Sequence, residues 1–374
     1  MLIVADDKIP FLKGVLEPYA RVVYIPGVDI GPEDVKNADG LIIRTRTKVD
    51  SSLLEGSSVK AVVSSTIGTD HMDIPWLEEN KIAWANAPGC NSGSVKQYIA
   101  SVFASLEDSY YPLSGKTLGV VGVGNVGSKV VKVGEAFGMK VLLNDPPRAA
   151  KEADFPNVDL NVLLQMSDVV TFHVPLIREG QYPTEYLLND TTLLMMKRGS
   201  VLINSSRGEV VEQRVLMKGI SSGLIERAIL DVWENEPDIS HELLERLMIG
   251  TPHIAGYSVD GKANGTAAAV QFMSRMFGFG LGNWKPSELP LLDNMSLSVS
   301  DVDERLNLKL AKAVFSTYDV RIDAKRLAED PENFEAIRGN YPIRREFPAW
   351  IVQVPEGNDD IKKSFELLGF QVVF

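Results

Sequence analysis

Apolar residues in this chain fall into short, nearly unbroken runs separated by longer stretches in which they return every three or four positions. The runs Leu2–Ala5, Val22–Ile25, Gly40–Ile43 and Ala61–Ser64 read as strands, too short for helices and bounded by polar or turn-forming residues. Ile9–Tyr19 reads as a helix. Short strands alternating with helices predict a parallel sheet. Ser94–Asp108 has helical periodicity and follows a loop rich in turn residues, APGCNSGS. A second alternation opens at Thr117–Gly122 and continues through strands at Lys140–Asn144, Val169–Phe172, Ser200–Asn204, Arg227–Asp231 and near Ile249. A helix over about Gly261–Gly280 follows, then a linker, Gly282–Asn294, carrying Pro286 and Pro290. Beyond it, strands are expected at Ser296–Ser300, Ala349–Val354 and Gln371–Phe374, with helices at Asp303–Thr317 and Asp360–Leu368.

The pattern predicts an α/β protein: two doubly wound parallel-sheet (Rossmann-like) domains plus a small C-terminal α/β domain. At 374 residues the chain is too long for one core. The last seventy-odd residues would be marginal alone, so they are expected to pack on the main body or on a second subunit. A net charge of −12 argues against nucleic-acid or anionic-membrane partners, though it leaves room for a local basic pocket. A single cysteine, Cys90, excludes an intrachain disulfide and fits a reducing cytoplasm. The opening MLIVADDKIPFLKGVL does not read as a signal peptide, and no window is apolar enough for a membrane helix. No spacing of His, Cys and carboxylates suggests a metal.

The first candidate chemistry is GVGNVG, which places Gly122, Gly124 and Gly127 in a G-x-G-x-x-G frame between a strand and a helix opening at Ser128. There Gly122 permits a tight turn, Gly124 lets backbone approach a pyrophosphate and Gly127 lets the helix pack on the strand. The helix start offers amides to the anion. Asp145 ends the next strand, 18 residues beyond Gly127. The fingerprint expects an acid about 20 residues on, accepting hydrogen bonds from a ribose. That favours NAD over NADP. Arg148 is the counter-sign, since an arginine there can take a 2′-phosphate; packing over the adenine, or solvation, is the preferred reading.

Three further residues follow strand ends: Arg207 in NSSRGEVV, Glu236 in LDVWENEP and His253 in GTPHIAGYS. In a doubly wound sheet such loops border the ligand crevice. Oxidising a secondary alcohol removes a hydride from carbon and a proton from oxygen. Histidine suits the proton, a neighbouring carboxylate fixes its tautomer, and arginine matches a substrate carboxylate. Ser205 and Ser206, at the same strand end as Arg207, join the cofactor set. Arg44, Arg46 and Lys48 follow a strand, and their alternation would place them on one face of an extended segment. Arg44 and Arg46 are candidates for a substrate phosphate. Arg344 and Arg345 could reach a partner's site. His71 reads as structural or near the cleft, His173 as lining the cofactor site, His241 as a helix cap and Cys90 as a loop thiol.

Taken together, GVGNVG, Asp145, NSSRGEVV, LDVWENEP and GTPHIAGYS resemble the D-2-hydroxyacid dehydrogenase family. The family's catalytic arginine, glutamate and histidine match Arg207, Glu236 and His253. IIRTRTKVD, STIGTDHMD, NAPGCNS, NDPPR, TFHVPL and PHIAGYSVDGKANGT, with VFSTYDVRID and YPIRREF, resemble one branch of it over essentially the whole chain. That resemblance implies NAD-dependent oxidation of 4-phospho-D-erythronate to 2-oxo-3-hydroxy-4-phosphobutanoate in vitamin B6 synthesis. It also implies a split substrate domain (1–93 and 258–283), an NAD domain (94–257) and a C-terminal domain (284–374) that forms a homodimer. Thr45, Thr66 and Tyr257 fall on substrate positions. Asn125, Val126, Asp145, Val174, Asp231 and Gly256 fall on NAD positions. Thr45 stands where serine is commoner and keeps the hydroxyl; Val174 stands where threonine is common and keeps only a backbone contact. Two alternatives stay open: another 2-hydroxyacid dehydrogenase, such as one for phosphoglycerate, and an NAD-sensing protein without turnover.

Overall fold

The computed structural model describes residues 1–299 and 305–374. They form two compact units, Met1–Asn91 with Ser258–Pro290 and Ser92–Tyr257 with Leu291–Phe374.

In the first unit, β1 (Leu2–Asp6), β2 (Arg21–Ile25), β3 (Gly40–Ile43), β4 (Ala61–Ser64) and β5 (Ala83–Ala85) form one parallel sheet in the order β2-β1-β3-β4-β5. Every residue of β3 and β4 is buried, as expected for central parallel strands covered on both faces. The strand order reverses between β1 and β3, which opens a crevice at their carboxyl ends. Helix Val259–Phe277 returns to this unit and buries Ala269, Val270 and Met273 in the cluster holding Ile3, Ile42 and Val63. Within that helix a side chain at Gly265 would run into the carbonyl oxygen of Ser65, so glycine is what permits the close approach.

The helix expected over Ile9–Tyr19 is not formed; the segment is a series of turns. Ile9, Leu12 and Leu16 are buried at the anticipated spacing, yet Val15 and Tyr19 donate to residues three back. Pro10 and Pro18 lack amide donors, and Phe11 (φ 62°) and Gly14 (φ 85°) are left-handed, which breaks the helical ladder. β5 is a strand that the sequence pattern did not reveal.

In the second unit, β6 (Thr117–Val121), β7 (Lys140–Asn144), β8 (Val169–Phe172), β9 (Ser200–Asn204), β10 (Ile225–Leu230) and β11 (Ile249–Gly250) form a parallel sheet ordered β11-β10-β9-β8-β6-β7. The order reverses between β6 and β8. On the outer side of β7, Leu143 makes a single parallel bridge to Asn157. A smaller parallel sheet holds β12 (Ser296–Ser298), β13 (Ile351–Gln353) and β14 (Gln371–Val373), flanked in sequence by helices Leu306–Thr317 and Asp359–Leu368. Ser300 of the expected strand, and Asp303 and Glu304 of the expected helix, lie outside the described residues.

The C-terminal segment shares a core with the larger sheet of this unit: Leu310, Val314, Phe347 and Phe365 lie in one cluster with Phe103, Val130 and Phe137. Helix Ser92–Asp108 receives it through polar contacts as well. Ser94 Oγ donates to Glu346 Oε1 (2.8 Å), Gln97 Nε2 to the Arg345 carbonyl (2.9 Å) and Ser101 Oγ to the Tyr318 carbonyl (2.9 Å). Arg344 and Arg345 are therefore buried, only 3% and 8% exposed, and do not reach outward to a partner as expected. Among the described residues no helix is long and apolar enough to cross a membrane.

Candidate active site

The carboxyl end of β6 begins the glycine loop. Gly122 has φ +85°, and a Cβ there would stand 2.6 Å from the His173 carbonyl oxygen and 2.7 Å from Val174 Cγ1. Both conformation and space therefore demand glycine. A Cβ on Gly127 would strike the Gly122 carbonyl, so the helix Gly127–Ala136 lies directly on the turn. Gly124 differs: its φ is not positive, and nothing lies within 4 Å of its would-be Cβ. Among the described residues no neighbour requires glycine here, which fits an open surface that a pyrophosphate approaches. The helix start carries no side-chain cap, leaving that end to an anion.

Asp145 follows β7 and braces this loop. Its Oδ2 accepts from the Val123 amide (2.8 Å) and its Oδ1 from the Arg148 amide (3.0 Å). A carboxylate has further lone pairs for ribose hydroxyls. Arg148 is committed to the protein: Nε donates to Glu152 (2.9 Å), Nη1 to the Val123 carbonyl (2.9 Å), and the guanidinium sits 4.6 Å from the Phe155 ring centre. These contacts hold the guanidinium against the protein.

His173 follows β8 with Nε2 2.9 Å from Thr171 Oγ1 and a buried Nδ1 that lacks a partner. Burial pushes its pKa down to about 3, so the ring is neutral at physiological pH. Beyond β9, Ser206 Oγ and its amide both donate to Asn204 Oδ1 (2.8 and 3.1 Å), whereas Ser205 Oγ is buried without a partner. An orphaned hydroxyl at a strand end beside the glycine loop's sheet edge suits a polar ligand group. Asn204 Nδ2 donates to the Arg207 carbonyl (2.8 Å), and Arg207 Nη1 to the Ser206 carbonyl (2.8 Å), which folds the arginine's loop tightly. A Cβ at Gly208 would collide with the Trp233 backbone, so glycine lets this loop close on the one after β10.

Glu236 and His253 are brought together. Glu236 Oε2 lies 2.7 Å from His253 Nδ1, and Oε1 accepts from the Trp233 amide (2.9 Å). Burial raises the Glu236 pKa, but the bond to His253 and its charge outweigh that and hold the carboxyl below the usual range. An ionised Glu236 requires the proton on Nδ1, which leaves the Nε2 lone pair as the base. The two side chains keep 19% and 33% exposure, so the pair remains reachable by a substrate. Asn235 (φ 60°) and His253 (φ 55°) are both left-handed, a conformation that histidine and asparagine tolerate better than most.

The backbone after His253 is fixed by Asp231, at the end of β10. Its Oδ1 accepts from the Ile254 amide (2.8 Å) and the Thr251 hydroxyl (2.7 Å), and its Oδ2 from the Ala255 amide (2.8 Å). Tyr98 donates to the Thr251 hydroxyl (2.8 Å) and Trp233 Nε1 to the Thr251 carbonyl (2.9 Å). Burial raises the Asp231 pKa to about 6 despite these bonds. Asp231 was placed with the cofactor from sequence; here it is 1% exposed and both oxygens are engaged in holding the loop. Half-buried Gly256 and Tyr257 follow. The Tyr257 ring meets Tyr341 edge-on (5.7 Å, 90°) and lies 5.8 Å from the Arg338 guanidinium.

In the first unit, Arg44 follows β3 and makes a two-pronged pair with Asp6 at the end of β1, both bonds 3.0 Å. Asp6 is fully buried, so Arg44 is the counter-charge that makes its burial tolerable. Arg44 Nε and Nη2 are thereby engaged by Asp6, while the side chain keeps 32% exposure. The segment after Arg44 turns instead of extending, so Arg44, Arg46 and Lys48 do not share one face of a strand. Lys48 pairs with Asp50 (2.7 Å). Thr45 and Arg46 stand exposed on the turn, and half-buried Thr66 holds its Oγ1 2.7 Å from Ser64 Oγ. Arg338 and Tyr341, which border the His253 loop, were not named from sequence, and Arg344 was assigned to a partner's site instead; their contacts to this loop lie far away in sequence and leave no local pattern. Among the described residues no three His, Cys, Asp or Glu side chains are placed to hold a metal ion.

The model of the D-isomer specific 2-hydroxyacid dehydrogenase NAD binding domain matches residues 95–255. Erythronate-4-phosphate dehydrogenase of Bacteroides fragilis is 44% identical over 356 residues, spanning 95% of this chain and 99% of its own. The Proteus mirabilis enzyme of the same name is 38% identical, with 99% of each chain covered. The chain belongs to the erythronate-4-phosphate dehydrogenase family. NAD is its cofactor, and the glycine loop, Asp145 and Ser205 are residues suited to hold it. Solved structures agree on the fold. NAD+-bound 3-phosphoglycerate dehydrogenase of Entamoeba histolytica superposes with TM-score 0.63 at 25% identity, covering 78% of this chain and 99% of its own. D-lactate dehydrogenase of Aquifex aeolicus, complexed with NAD and lactic acid, gives 0.62 at 24% identity, covering 75% and 97%.

Proposed function

We propose that the protein oxidises 4-phospho-D-erythronate to 2-oxo-3-hydroxy-4-phosphobutanoate, a step in pyridoxal 5′-phosphate synthesis. The observation that carries this reading is the His253–Glu236 pair at 2.7 Å, in a chain whose relatives of that name match it from end to end. Bound NAD supplies the hydride acceptor. Gly122, Gly124, Asn125, Val126, Gly127, Asp145, Val174, Ser205, Ser206 and Gly256 cradle it, and Asp231 acts behind them by fixing the loop. His253 Nε2 takes the proton of the substrate's C2 hydroxyl. Glu236 stays ionised and steadies the imidazolium that results. Arg207 holds the substrate carboxylate and draws charge toward the forming carbonyl. Thr45, Thr66 and Tyr257 contact the substrate. Arg44 and Arg46 are the candidates for its phosphate. The protein works in the cytoplasm as a homodimer joined through residues 284–374.

Turnover decides between this and the alternatives. The purified protein is assayed for NAD reduction with 4-phospho-D-erythronate and, separately, with 3-phospho-D-glycerate, with and without 2-oxoglutarate to reoxidise retained NADH. The expected result is a kcat/KM at least about 100-fold higher for the four-carbon substrate, or about 2.7 kcal/mol of discrimination. Preference for phosphoglycerate, or saturable NAD binding with no turnover under any condition, would overturn it.

A further inference from the structure

We propose that Arg344, on the C-terminal segment, is a positioning residue for the reaction: it clamps the loop that carries His253. Ala255 lies two residues beyond His253, and both of the peptide groups that flank its Cα are held. Its amide donates to Asp231 Oδ2 (2.8 Å), and its carbonyl accepts from Arg344 Nη2 at 2.6 Å. The first contact comes from the end of β10, the second from a residue 89 positions away in sequence. With the peptide groups on either side of it held, Ala255 is restrained in both φ and ψ, and the turn between His253 and Tyr257 is restrained with it.

The arginine is itself built in. It is 3% exposed, lies 4.4 Å from the Tyr318 ring centre and 5.7 Å from that of Tyr341, and its Nη1 is 3.4 Å from the Tyr341 hydroxyl. Its charge is answered through those rings, since Tyr318 and Tyr341 both donate to buried Asp323 (2.9 and 2.7 Å). Nε remains buried and unpartnered. Burying a cation in this way is costly, and one hydrogen bond to a loop carbonyl would not recoup it as stability. The arrangement is understandable if the arginine fixes geometry. Tyr341, of the same cluster, also packs edge-on against Tyr257. The C-terminal segment thereby acts on the catalytic loop from within its own chain.

The proposal rests on His253 being the base, so the test carries a control for that. Arg344→Met, the charge-balanced pair Arg344→Met with Asp323→Asn, and Arg344→Lys are compared with the wild type and His253→Ala. The readouts are kcat, KM, NAD affinity and the primary isotope effect with C2-deuterated substrate. A loop displacement near 1 Å predicts a kcat loss of about 100-fold in the two Met variants. KM and NAD affinity should stay within about threefold, and the isotope effect should rise as hydride transfer becomes limiting. Arg344→Lys, which keeps the cation and a donor, should recover part of the loss. If the single Met variant fails to fold, the charge-balanced pair gives the reading. Folded Arg344 variants with kcat within about threefold of wild type, or with NAD affinity lost in step with kcat, overturn the clamp. If His253→Ala remains active, the assignment of the base fails instead.

Discussion

At the scale of single residues, two glycines of one loop make opposite predictions. Gly122→Ala puts a methyl group against the His173 carbonyl at φ +85° and should destabilise the fold by about 2 kcal/mol or more, read as a fall in denaturation midpoint. Gly124→Ala meets nothing within 4 Å and should leave stability within about 0.5 kcal/mol. It should nonetheless weaken NAD binding about tenfold or more, because the added methyl occupies the approach to the pyrophosphate. An unstable Gly124→Ala, or one that binds NAD normally, would show that the loop's open face is not the cofactor's. Glu236→Gln keeps the size and loses the charge. It should cut kcat by about 10²- to 10⁴-fold, as expected when a histidine base loses its orienting carboxylate, with NAD affinity preserved in titration.

At the scale of elements, the strands that positioned the site were the most legible. Gly40–Ile43, Ala61–Ser64, Val169–Phe172 and Ser200–Asn204 occur where the apolar runs placed them, because a parallel strand buried on both faces writes an unbroken run; the edge strand Lys140–Asn144 also lies where expected, though it is only partly buried. Candidate residues at their carboxyl ends followed from topology. The turns of Ile9–Tyr19 were not legible, since buried residues in successive turns repeat with the same spacing as on a helix. Helix Val320–Glu329 was hidden by its charged, largely exposed surface. Partners distant in sequence left no local trace: Asp6 for Arg44 is 38 residues away, and Ala255 for Arg344 is 89. The end of β8 carries a pH prediction. His173 is held neutral in the fold, with a pKa of about 3, while the unfolded chain takes up a proton near pH 6.5. A depressed folded pKa gives stability that is complete above the unfolded value and is lost as pH falls toward the folded one. From pH 7 to 5 the wild type should lose about 2 kcal/mol more than His173→Gln in denaturant unfolding. Parallel curves would mean that the ring titrates normally.

At the scale of the whole molecule, the C-terminal segment joins the core of the NAD-binding sheet and reaches the catalytic loop through Arg344, so this part of the chain serves chemistry as well as packing. The proposed homodimer predicts a particle of twice 41.1 kDa in light scattering at micromolar concentration; a strictly monomeric protein that turns over normally would contradict it. In the proposed reaction His253, held by Glu236, removes the proton in an NAD-dependent oxidation of a phosphorylated 2-hydroxy acid. The most direct measurement is a single-turnover reaction of NAD-loaded protein with 4-phospho-D-erythronate, comparing wild type and His253→Ala by nicotinamide absorbance. The wild type should form close to one NADH per chain, and the variant should form it at least about 10³-fold more slowly while binding NAD with unchanged affinity. NADH formation by His253→Ala at the wild-type rate would rule out His253 as the base.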